Sequence, residues 1–344
     1  MARLSLPALT SWITAAAVEH PHDLATEVQH RTGLSRSTAL KALKQLTALQ
    51  WLEREGSLQR PVYRPGKLRE VVRRYPLQGL NEDLPWTRDF APYFALPAHV
   101  NRMVQHAFTE LLNNAIDHSE GSGVTVSLRQ TPTQAQLLVS DDGRGLFDKI
   151  HEQFAIDDPV LAMLELAKGK LTSAPDRHTG RGLYFSARLA DVFDVHANAS
   201  AFQHRRWEGF GWRAGRPLPR EGTSIYLAIS LDTRRTLDSV LRAASLNGEG
   251  YGFERTSVPL RLITGQGNGL ESRGQAKRVG SRLAEFARAE LDFDGISDIG
   301  HGFADELFRV FSRDHPGVEL VPLNMAPRVA AMIDSVREEV QRRA

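Results

Sequence analysis

Apolar residues recur at helical spacing in three successive segments at the amino-terminal end of the chain. An apolar-rich run from Leu9 to Val18 predicts a first helix, and Asp23 is placed to cap a second. Gly33 predicts the turn after it. Ser35 is placed to cap a third helix over residues 36–52, in which leucines recur at helical spacing. The pattern therefore predicts three short helices before residue 53.

The next segments combine turn signals with short apolar runs. Residues 51–64 predict two short strands on either side of Gly56. A short helix is expected over Leu68–Tyr75, and Pro76 would end it. Further prolines at positions 85, 92 and 97 indicate a connector between two folded parts.

The middle of the chain carries one polar-faced helix and several strands. The stretch Glu110–Ser119 predicts a helix with amide and carboxylate side chains on one face and apolar ones on the other. Val124–Leu128 and Gln136–Ser140 predict two strands, and residues 222–229 predict another after a Gly-Thr pair. A helix is also expected over Pro159–Lys168.

The last part of the chain alternates strands and helices. A helix over Thr233–Ala244 leads into a glycine-rich stretch at residues 247–252, which is typical of a boundary. The elements predicted after it are strand Val258–Ile263, helix Gln275–Ala289, strand Leu291–Ile296, helix Gly302–Phe311, strand Val318–Pro322 and helix Pro327–Arg342. Such alternation indicates a small α/β domain.

Composition adds two facts to this picture. The chain has 344 residues, more than one hydrophobic core usually serves, and it has no cysteine, which excludes disulfides and thiolate metal sites. The net charge is only +2, but Arg31 to Gln78 holds eleven Lys or Arg residues against three Glu residues. No apolar run has the length of a membrane span, and the start lacks the apolar core of a signal peptide. We expect a cytoplasmic protein without a membrane partner.

Three polar and glycine-rich motifs follow one another in the middle of the chain. The first is Glu110-Leu-Leu-Asn-Asn-Ala-Ile-Asp, and the second is Asp141-Asp-Gly-Arg-Gly at the end of a predicted strand. The third, His178-Thr-Gly-Arg-Gly-Leu, precedes an amphipathic helical run. Glycines expose backbone N–H groups at a helix start, where the helix dipole favours anions. In this order, the motifs resemble the N box and the two glycine boxes of the GHKL superfamily, and especially its anti-sigma-factor-like members.

The resemblance implies a Bergerat-fold ATP-binding domain, with ATP and Mg²⁺ as cofactors. Glu110 is then the general base for water, and Asn114 the Mg²⁺ ligand. Asp141 would accept a hydrogen bond from the adenine amino group. The other implied nucleotide-binding residues are Asp117, Gly143, Gly145, Thr179, Gly180, Arg181, Gly182 and Thr223. Residues 146–179 would form the lid over the nucleotide, either as a mobile segment or as an ordered surface loop.

The amino-terminal helices and strands resemble the winged helix-turn-helix of bacterial regulators. That fold consists of two helices joined by a glycine-containing turn, followed by a two-stranded wing. The excess of basic residues favours DNA as the partner, although a winged helix used only for protein contact stays open. The residues expected to contact the major groove, its phosphates or the backbone beside the wing are Arg36, Ser37, Thr38, Lys41, Lys44, Arg60 and Arg64.

The stretch from Leu291 to Glu306 resembles the STAS-like domains fused behind ATPases of this type. More distantly, it is similar to the anti-sigma-factor antagonists, which carry a phosphorylatable serine at the start of a helix. Residues Gly300-His301-Gly302 stand at that place, which argues against phosphorylation by that route.

The expected fold class is a multidomain α+β protein: a winged helix-turn-helix, a Bergerat α/β sandwich with a mixed sheet, and a small STAS-like α/β domain. The expected domains are 1–66 for the winged helix-turn-helix, 67–96 for the connector, 97–231 for the ATP-binding domain, 232–252 for a linker, and 253–344 for the STAS-like domain.

Three functions compete on these grounds. The first is an ATP-responsive DNA-binding regulator with slow hydrolysis allowed, and we favour it. The second is a serine or histidine protein kinase of the anti-sigma or sensor kind, against which stand the missing serine and the lack of a long histidine-bearing helix before the N box. The third is a GHKL ATPase acting on DNA. A protein partner of the STAS-like domain is also expected, and monomer and homodimer both stay open.

Overall fold

The computed structural model describes residues 6–172, 180–208, 211–264 and 269–343. The chain forms two compact units. The first comprises Met1–Gly143 and Ser224–Arg234, and the second comprises Arg144–Thr223 and Arg235–Ala344.

The helices and strands are numbered in chain order. The α-helices are α1 Leu6–Glu19, α2 Leu24–Thr32, α3 Arg36–Ala48, α4 Asp83–Pro85, α5 Ala98–His118, α6 Leu146–Phe154, α7 Pro159–Lys168, α8 Gly182–Leu189, α9 Leu237–Arg242, α10 Arg273–Gly280, α11 His301–Asp305, α12 Ser312–Asp314 and α13 Pro327–Arg343. The strands are β1 Leu52–Gly56, β2 Pro61–Pro65, β3 Arg69–Pro76, β4 Gly123–Gln130, β5 Gln134–Asp141, β6 Val192–Ala197, β7 Ser200–Arg205, β8 Trp212–Ala214, β9 Thr223–Ser230, β10 Arg255–Pro259, β11 Arg288–Asp292 and β12 Glu319–Leu323.

The first unit begins with three helices and the antiparallel hairpin β1–β2. Gly33 ends α2 with a left-handed φ of 69°, and Ser35 caps α3 by accepting the Thr38 N–H, so both predictions are confirmed. The helix predicted to reach residue 52 is wrong at its end. It stops at Ala48, because Gln50 takes a φ of 65° and turns the chain into β1.

The segment predicted as a helix over Leu68–Tyr75 is strand β3, so that prediction is wrong. Val71 and Tyr75 are buried, a spacing of four that fits a helix and a strand equally well. Pairing with β4 decides between the two, because Val71 lies opposite Leu128 and Tyr75 opposite Val124 in an antiparallel register. The predicted connector therefore contains sheet structure, while the proposed domain boundaries stay predictions.

The sheet of the first unit continues from β4 to β5 and from β5 to β9, all antiparallel. The two strands predicted over Val124–Leu128 and Gln136–Ser140 are confirmed as β4 and β5. Helix α5 packs on this sheet with an apolar stripe that includes Val104, Phe108 and Leu111. A mixed sheet was expected, but the strand pairs that are described in this part of the fold are antiparallel.

Helix α1 covers the edge strand β3 within the first unit. Thr14 is completely buried on α1, and its Oγ1 accepts the Glu70 N–H of β3 at 3.0 Å. Tyr93 donates its hydroxyl to Glu19 at 2.7 Å, and the Arg129 guanidinium of β4 lies 5.4 Å from the Trp51 ring centre. The amino-terminal helices are therefore packed on the sheet, and the free N–H group of an edge strand finds a partner.

The second unit contains the antiparallel strands β6–β7–β8 and, further along, the parallel strands β10–β11–β12. The parallel strands alternate with helices, which confirms a small α/β arrangement. Helix α7 has the predicted bounds, and α13 extends the predicted last helix by one residue. Helix α6 was missed, and the helix predicted over Thr233–Ala244 is the shorter α9, which starts after its cap Thr236.

Three predictions in this α/β part are wrong. The helix predicted over Gln275–Ala289 ends at Gly280, because Arg282 adopts a left-handed φ of 59° and a short 3-10 turn follows. The strand predicted over Leu291–Ile296 therefore starts earlier, as β11. The strand predicted over Val258–Ile263 is β10, which ends at Pro259 before a 3-10 turn. In the described segments, no helix combines the length and the apolar character that a membrane crossing requires.

Candidate functional site

Helix α5 carries the polar face that the sequence predicts. Glu110 and Asn114 are half-buried, and Asp117 is exposed near the carboxyl end of the helix. Residues four apart on a helix lie about 6 Å apart along its axis and share a face, so the Glu110 carboxylate and the Asn114 amide belong to one patch. Their oxygen atoms are of the kind that Mg²⁺ binds.

Two neighbouring groups make this face unusual. The Oδ1 atom of Asn113 is buried without a hydrogen-bond partner among the described residues, and so is Nε2 of His106. Burial lowers the pKa of His106, although the carboxylate of Glu110 opposes that shift. A buried amide oxygen without a partner is costly in a closed structure, which favours an external donor or cation at this place.

The two adjacent aspartates at the end of β5 have different surroundings. Asp141 is 6% exposed, and its Oδ1 accepts the Gly143 N–H at 3.0 Å. Asp142 accepts the N–H groups of Ser122 and Gly123 at 2.7 and 2.8 Å, and these bonds and that from the Ser122 hydroxyl lower its pKa. Asp142 therefore fixes the turn before β4, whereas Asp141 is the buried carboxylate that the sequence assigns to adenine.

Gly143 joins this aspartate to helix α5. A Cβ atom at position 143 would lie 2.1 Å from the carbonyl oxygen of Ser119, which follows the last residue of the helix. Only glycine allows such an approach. Ser119 is itself buried and donates its hydroxyl to the Ala115 carbonyl at 2.6 Å. Within the first unit, the structure therefore brings the end of the N-box helix against the start of the first glycine box.

In the second unit, Gly145 and Thr223 lie at the start of helix α6. Gly145 has a φ of 89°, and Thr223 Oγ1 accepts the Leu146 N–H at 3.0 Å. Asn198 donates Nδ2 to the Arg144 carbonyl at 2.7 Å and accepts the Gly222 N–H at 3.0 Å. Asn198 was not among the residues predicted from the sequence. The sequence signal for it is an asparagine between the strands β6 and β7 of a hairpin, because asparagine tolerates the positive φ of 49° found there.

The second glycine box begins helix α8. Gly180 has a φ of 62°, Arg181 precedes the first helical residue, and Gly182 is that residue. The Arg181 Nε is buried without a hydrogen-bond partner in the parts of the chain described, and its guanidinium lies 5.6 Å from the Phe253 ring centre. Thr179, which the sequence analysis also assigned to the nucleotide, lies outside the described residues.

Helix α3 presents a basic face to solvent. Arg36, Ser37, Lys41 and Lys44 are exposed, while Ala39, Ala42, Leu43 and Leu46 on the other side are buried in the core of the three helices. Thr38 is half-buried, and its hydroxyl is 2.9 Å from that of Ser35. The structure therefore leaves four of the five predicted contact residues of this helix accessible.

The hairpin β1–β2 carries the two remaining predicted residues. Arg60 is exposed in the turn and Arg64 is exposed on β2. The Arg64 Nε donates to Glu55 at 3.2 Å, so part of its charge is already balanced. Gly56, with a φ of 78°, allows the tight turn, since a Cβ there would meet the Arg60 carbonyl at 2.4 Å.

The donor set fits Mg²⁺ better than a metal held by protein alone. Across residues 6–172, 180–208, 211–264 and 269–343, no group of three or more His, Asp or Glu side chains could enclose a metal ion. Mg²⁺ keeps most of its waters and depends on substrate phosphates, so one amide and one carboxylate suffice. Asn114 and Glu110 are consistent with that chemistry.

Two segments of the chain match known families of protein domains. Residues 81–201 match the family of histidine kinase-like ATPase domains. Residues 275–330 match a family described as a STAS-like domain of unknown function (DUF4325). The chain therefore contains a histidine kinase-like ATPase domain followed by a carboxy-terminal STAS-like domain. No curated protein matches the chain.

Proposed function

We propose that this protein is an ATP-responsive DNA-binding regulator, in which Mg²⁺-ATP bound by the ATPase domain controls the affinity of an amino-terminal winged helix-turn-helix for DNA or for a partner. The histidine kinase-like ATPase domain supports nucleotide binding. The basic exposed face of α3, followed by the hairpin β1–β2, supports contact with DNA phosphates.

One observation carries the proposal. Helix α3, which bears the basic face, and the sheet on which α5 packs belong to the same compact unit. Thr14 of α1 holds the edge strand β3, and Trp51 contacts Arg129 of β4. A conformational change in the sheet could therefore reach α3 through packed side chains, which a flexible connector would not provide.

Each predicted residue has a distinct task under this proposal. The Asp141 carboxylate accepts a hydrogen bond from the adenine amino group, and the Asn114 amide oxygen binds Mg²⁺. Glu110 takes a proton from the attacking water if hydrolysis occurs. Bound Mg²⁺ supplies positive charge that neutralises the phosphate oxygens. The backbone N–H groups around Gly180 and Gly182 bind the phosphates.

The decisive measurement is DNA affinity with no nucleotide, with ADP and with a non-hydrolysable ATP analogue, at one fixed salt concentration. A coupling of about 1–3 kcal/mol would change DNA affinity by roughly 5- to 150-fold, and DNA would change ATP affinity by the same factor. Asn114→Ala should remove the Mg²⁺-dependent part and leave basal DNA binding. Three equal affinities would contradict the switch and leave the ATP site to serve a protein partner instead.

A further inference from the structure

The end of helix α7 is attached to the STAS-like domain by a buried lysine. Lys168 is 1% exposed, and its Nζ donates to Glu165 at 2.6 Å, to the Ser281 carbonyl at 2.8 Å and to the Arg278 carbonyl at 3.2 Å. An ammonium group has three N–H donors, and all three are used here. Two of the acceptors are backbone groups of the STAS-like domain, more than one hundred residues away in sequence.

Two further contacts bind the same short segment from the other side. Thr256 on β10 donates its hydroxyl to the Lys168 carbonyl at 2.7 Å, in a completely buried position. Arg282 donates to the Lys170 carbonyl at 2.6 Å, and its second nitrogen lies 3.7 Å from Glu165. Residues 168–170 are therefore held by side chains and backbone groups on both sides.

An aromatic cluster continues this attachment to the second glycine box. Phe253 and Phe286 pack with Tyr184 and Phe185 of helix α8, which starts at Gly182. The Lys170 ammonium lies 4.3 Å from the Phe286 ring centre. Gly169 is required here, because a Cβ at that position would lie 2.5 Å from Phe253.

Lys170 is paired with Gly180 at this place. The Lys170 N–H donates to the Gly180 carbonyl at 2.9 Å, so the segment that the STAS-like domain holds is hydrogen-bonded to the first glycine of the second box. Within the second unit, residues 168–170, the second glycine box and the STAS-like domain are thus packed together.

We propose that the STAS-like domain positions the phosphate-binding turn of the ATPase domain through Lys168 and Arg282. An event on the STAS-like domain that shifts the turn at residues 280–285 would then change phosphate affinity. This inference rests on the proposed nucleotide binding. Lys168 and Arg282 are positioning residues, since they act through Lys170 and Gly180 and touch no substrate.

The test uses the whole chain with a double variant and a matched control. Lys168→Met alone takes the 2.6 Å hydrogen bond away from the buried Glu165 carboxylate and is expected to unfold the site in part. The double variant Lys168→Met/Glu165→Gln removes both charges and keeps the side-chain volumes, so it should stay folded while losing the bonds to residues 278 and 281. Lys277→Met is the matched control, because Lys277 is exposed on helix α10 and its Nζ is 3.9 Å from Glu306.

The first readout is backbone hydrogen exchange of residues 273–286 without nucleotide. We expect exchange to become at least roughly tenfold faster in the double variant and to be unchanged in Lys277→Met. Unchanged exchange in the double variant would overturn the inference. This readout needs no nucleotide, so it tests the attachment of Lys168 to the STAS-like domain even if the wild-type protein fails to bind ATP, and it separates a failure of the attachment from a failure of the proposed function.

The second readout separates positioning from general loss of structure. ATP and adenosine affinities are measured for the wild type and the double variant at a temperature where both are folded. A misplaced phosphate turn should weaken ATP binding by roughly tenfold and leave adenosine binding unchanged. Equal losses for both ligands, or no loss for either, would contradict a role of Lys168 in phosphate positioning.

Discussion

The two adjacent aspartates show how neighbouring residues of the same type take different tasks. Asp141 is buried at the end of β5, whereas Asp142 holds the N–H groups of Ser122 and Gly123. We expect Asp141→Asn to weaken ATP binding by about 2–4 kcal/mol, because an amide can place a donor against the adenine amino group. Calorimetric titration measures the change.

Asp142→Asn serves as the control for that experiment. The amide of asparagine keeps an acceptor oxygen for the two N–H groups at residues 122 and 123, so ATP affinity should stay within a few-fold of wild type. Wild-type affinity in Asp141→Asn would remove the adenine assignment. Glu110→Ala should instead keep ATP affinity and lose turnover.

His204 predicts a measurable pH dependence of stability. Burial, and then the charges of Arg188, Arg206 and Arg205, lower its pKa from 6.5 to about 4. Between these values the unfolded chain binds a proton that the folded chain does not, so the free energy of unfolding should fall as the pH drops from about 6.5 to about 4. The contribution is about 3–4 kcal/mol, because each unit of the pKa change corresponds to about 1.4 kcal/mol.

Urea unfolding of wild type and His204→Gln across this pH range isolates that contribution. The variant should lose the corresponding part of the pH dependence, while His22→Gln, at an exposed residue of the first unit, should leave it unchanged. Parallel stability curves for wild type and His204→Gln would show that His204 titrates alike in both states.

At the scale of elements, the sequence was informative where one periodicity had a single interpretation. The polar face of α5 could be predicted because apolar residues alternate with amides and carboxylates at spacings of three and four. The bounds of α7 could be predicted because an apolar run lies between Pro159 at its start and Gly169 after its end. Strand β3 could not be predicted, since the spacing of Val71 and Tyr75 fits both the helical and the strand period. Only the pairing with β4 shows that the segment is a strand. The break at Gly280 was hidden because the left-handed Arg282 is stabilised by contacts to Lys170 and Glu165, far away in sequence.

The same limit applies to the candidate site. The places of Glu110 and Asn114 on one helix face and of Asp141 at a strand end were predictable, because each residue stands in a motif with fixed spacing. Asn198 and Lys168 belong to no such motif. Their importance comes from tertiary contacts that local sequence does not encode, namely the Gly222 N–H for Asn198 and the Ser281 carbonyl for Lys168.

Helix α3 supplies the prediction that tests DNA contact. Lys41 and Lys44 are exposed on it, and contact with phosphate would release counterions. Lys41→Ala and Lys44→Ala should each reduce the slope of log affinity against log salt concentration by about one. Electrophoretic or fluorescence titrations at several salt concentrations measure this slope.

Arg328→Ala removes the same charge from an exposed position on helix α13 and should leave the slope unchanged. If the triple variant Arg36→Ala/Lys41→Ala/Lys44→Ala binds DNA as the wild type does, the helix serves protein contact instead. A wild-type affinity that does not change with salt would lead to the same conclusion.

At the scale of the whole molecule, Thr14 tests whether the amino-terminal helices and the sheet act together. Thr14→Val preserves the shape of the side chain but leaves the Glu70 N–H without its acceptor, at a cost of about 1–3 kcal/mol. We expect basal DNA affinity to be kept and its response to nucleotide to shrink, as measured by the three-state DNA titration. An undiminished response would place the coupling elsewhere.

The buried ammonium of Lys168 also limits how this protein can have arisen by recombination. A chain that ends before residue 253 would lose the Thr256 hydroxyl, two carbonyl acceptors and the rings of Phe253 and Phe286. The ATPase segment would then expose a lysine and an apolar surface that the STAS-like domain now covers. Replacement of the carboxy-terminal domain by an unrelated domain would fail unless the new domain offered equivalent hydrogen-bond acceptors to Lys168. Inheritance of the two domains should therefore be joint, with changes at residues 165–170 matched by changes at residues 278–286.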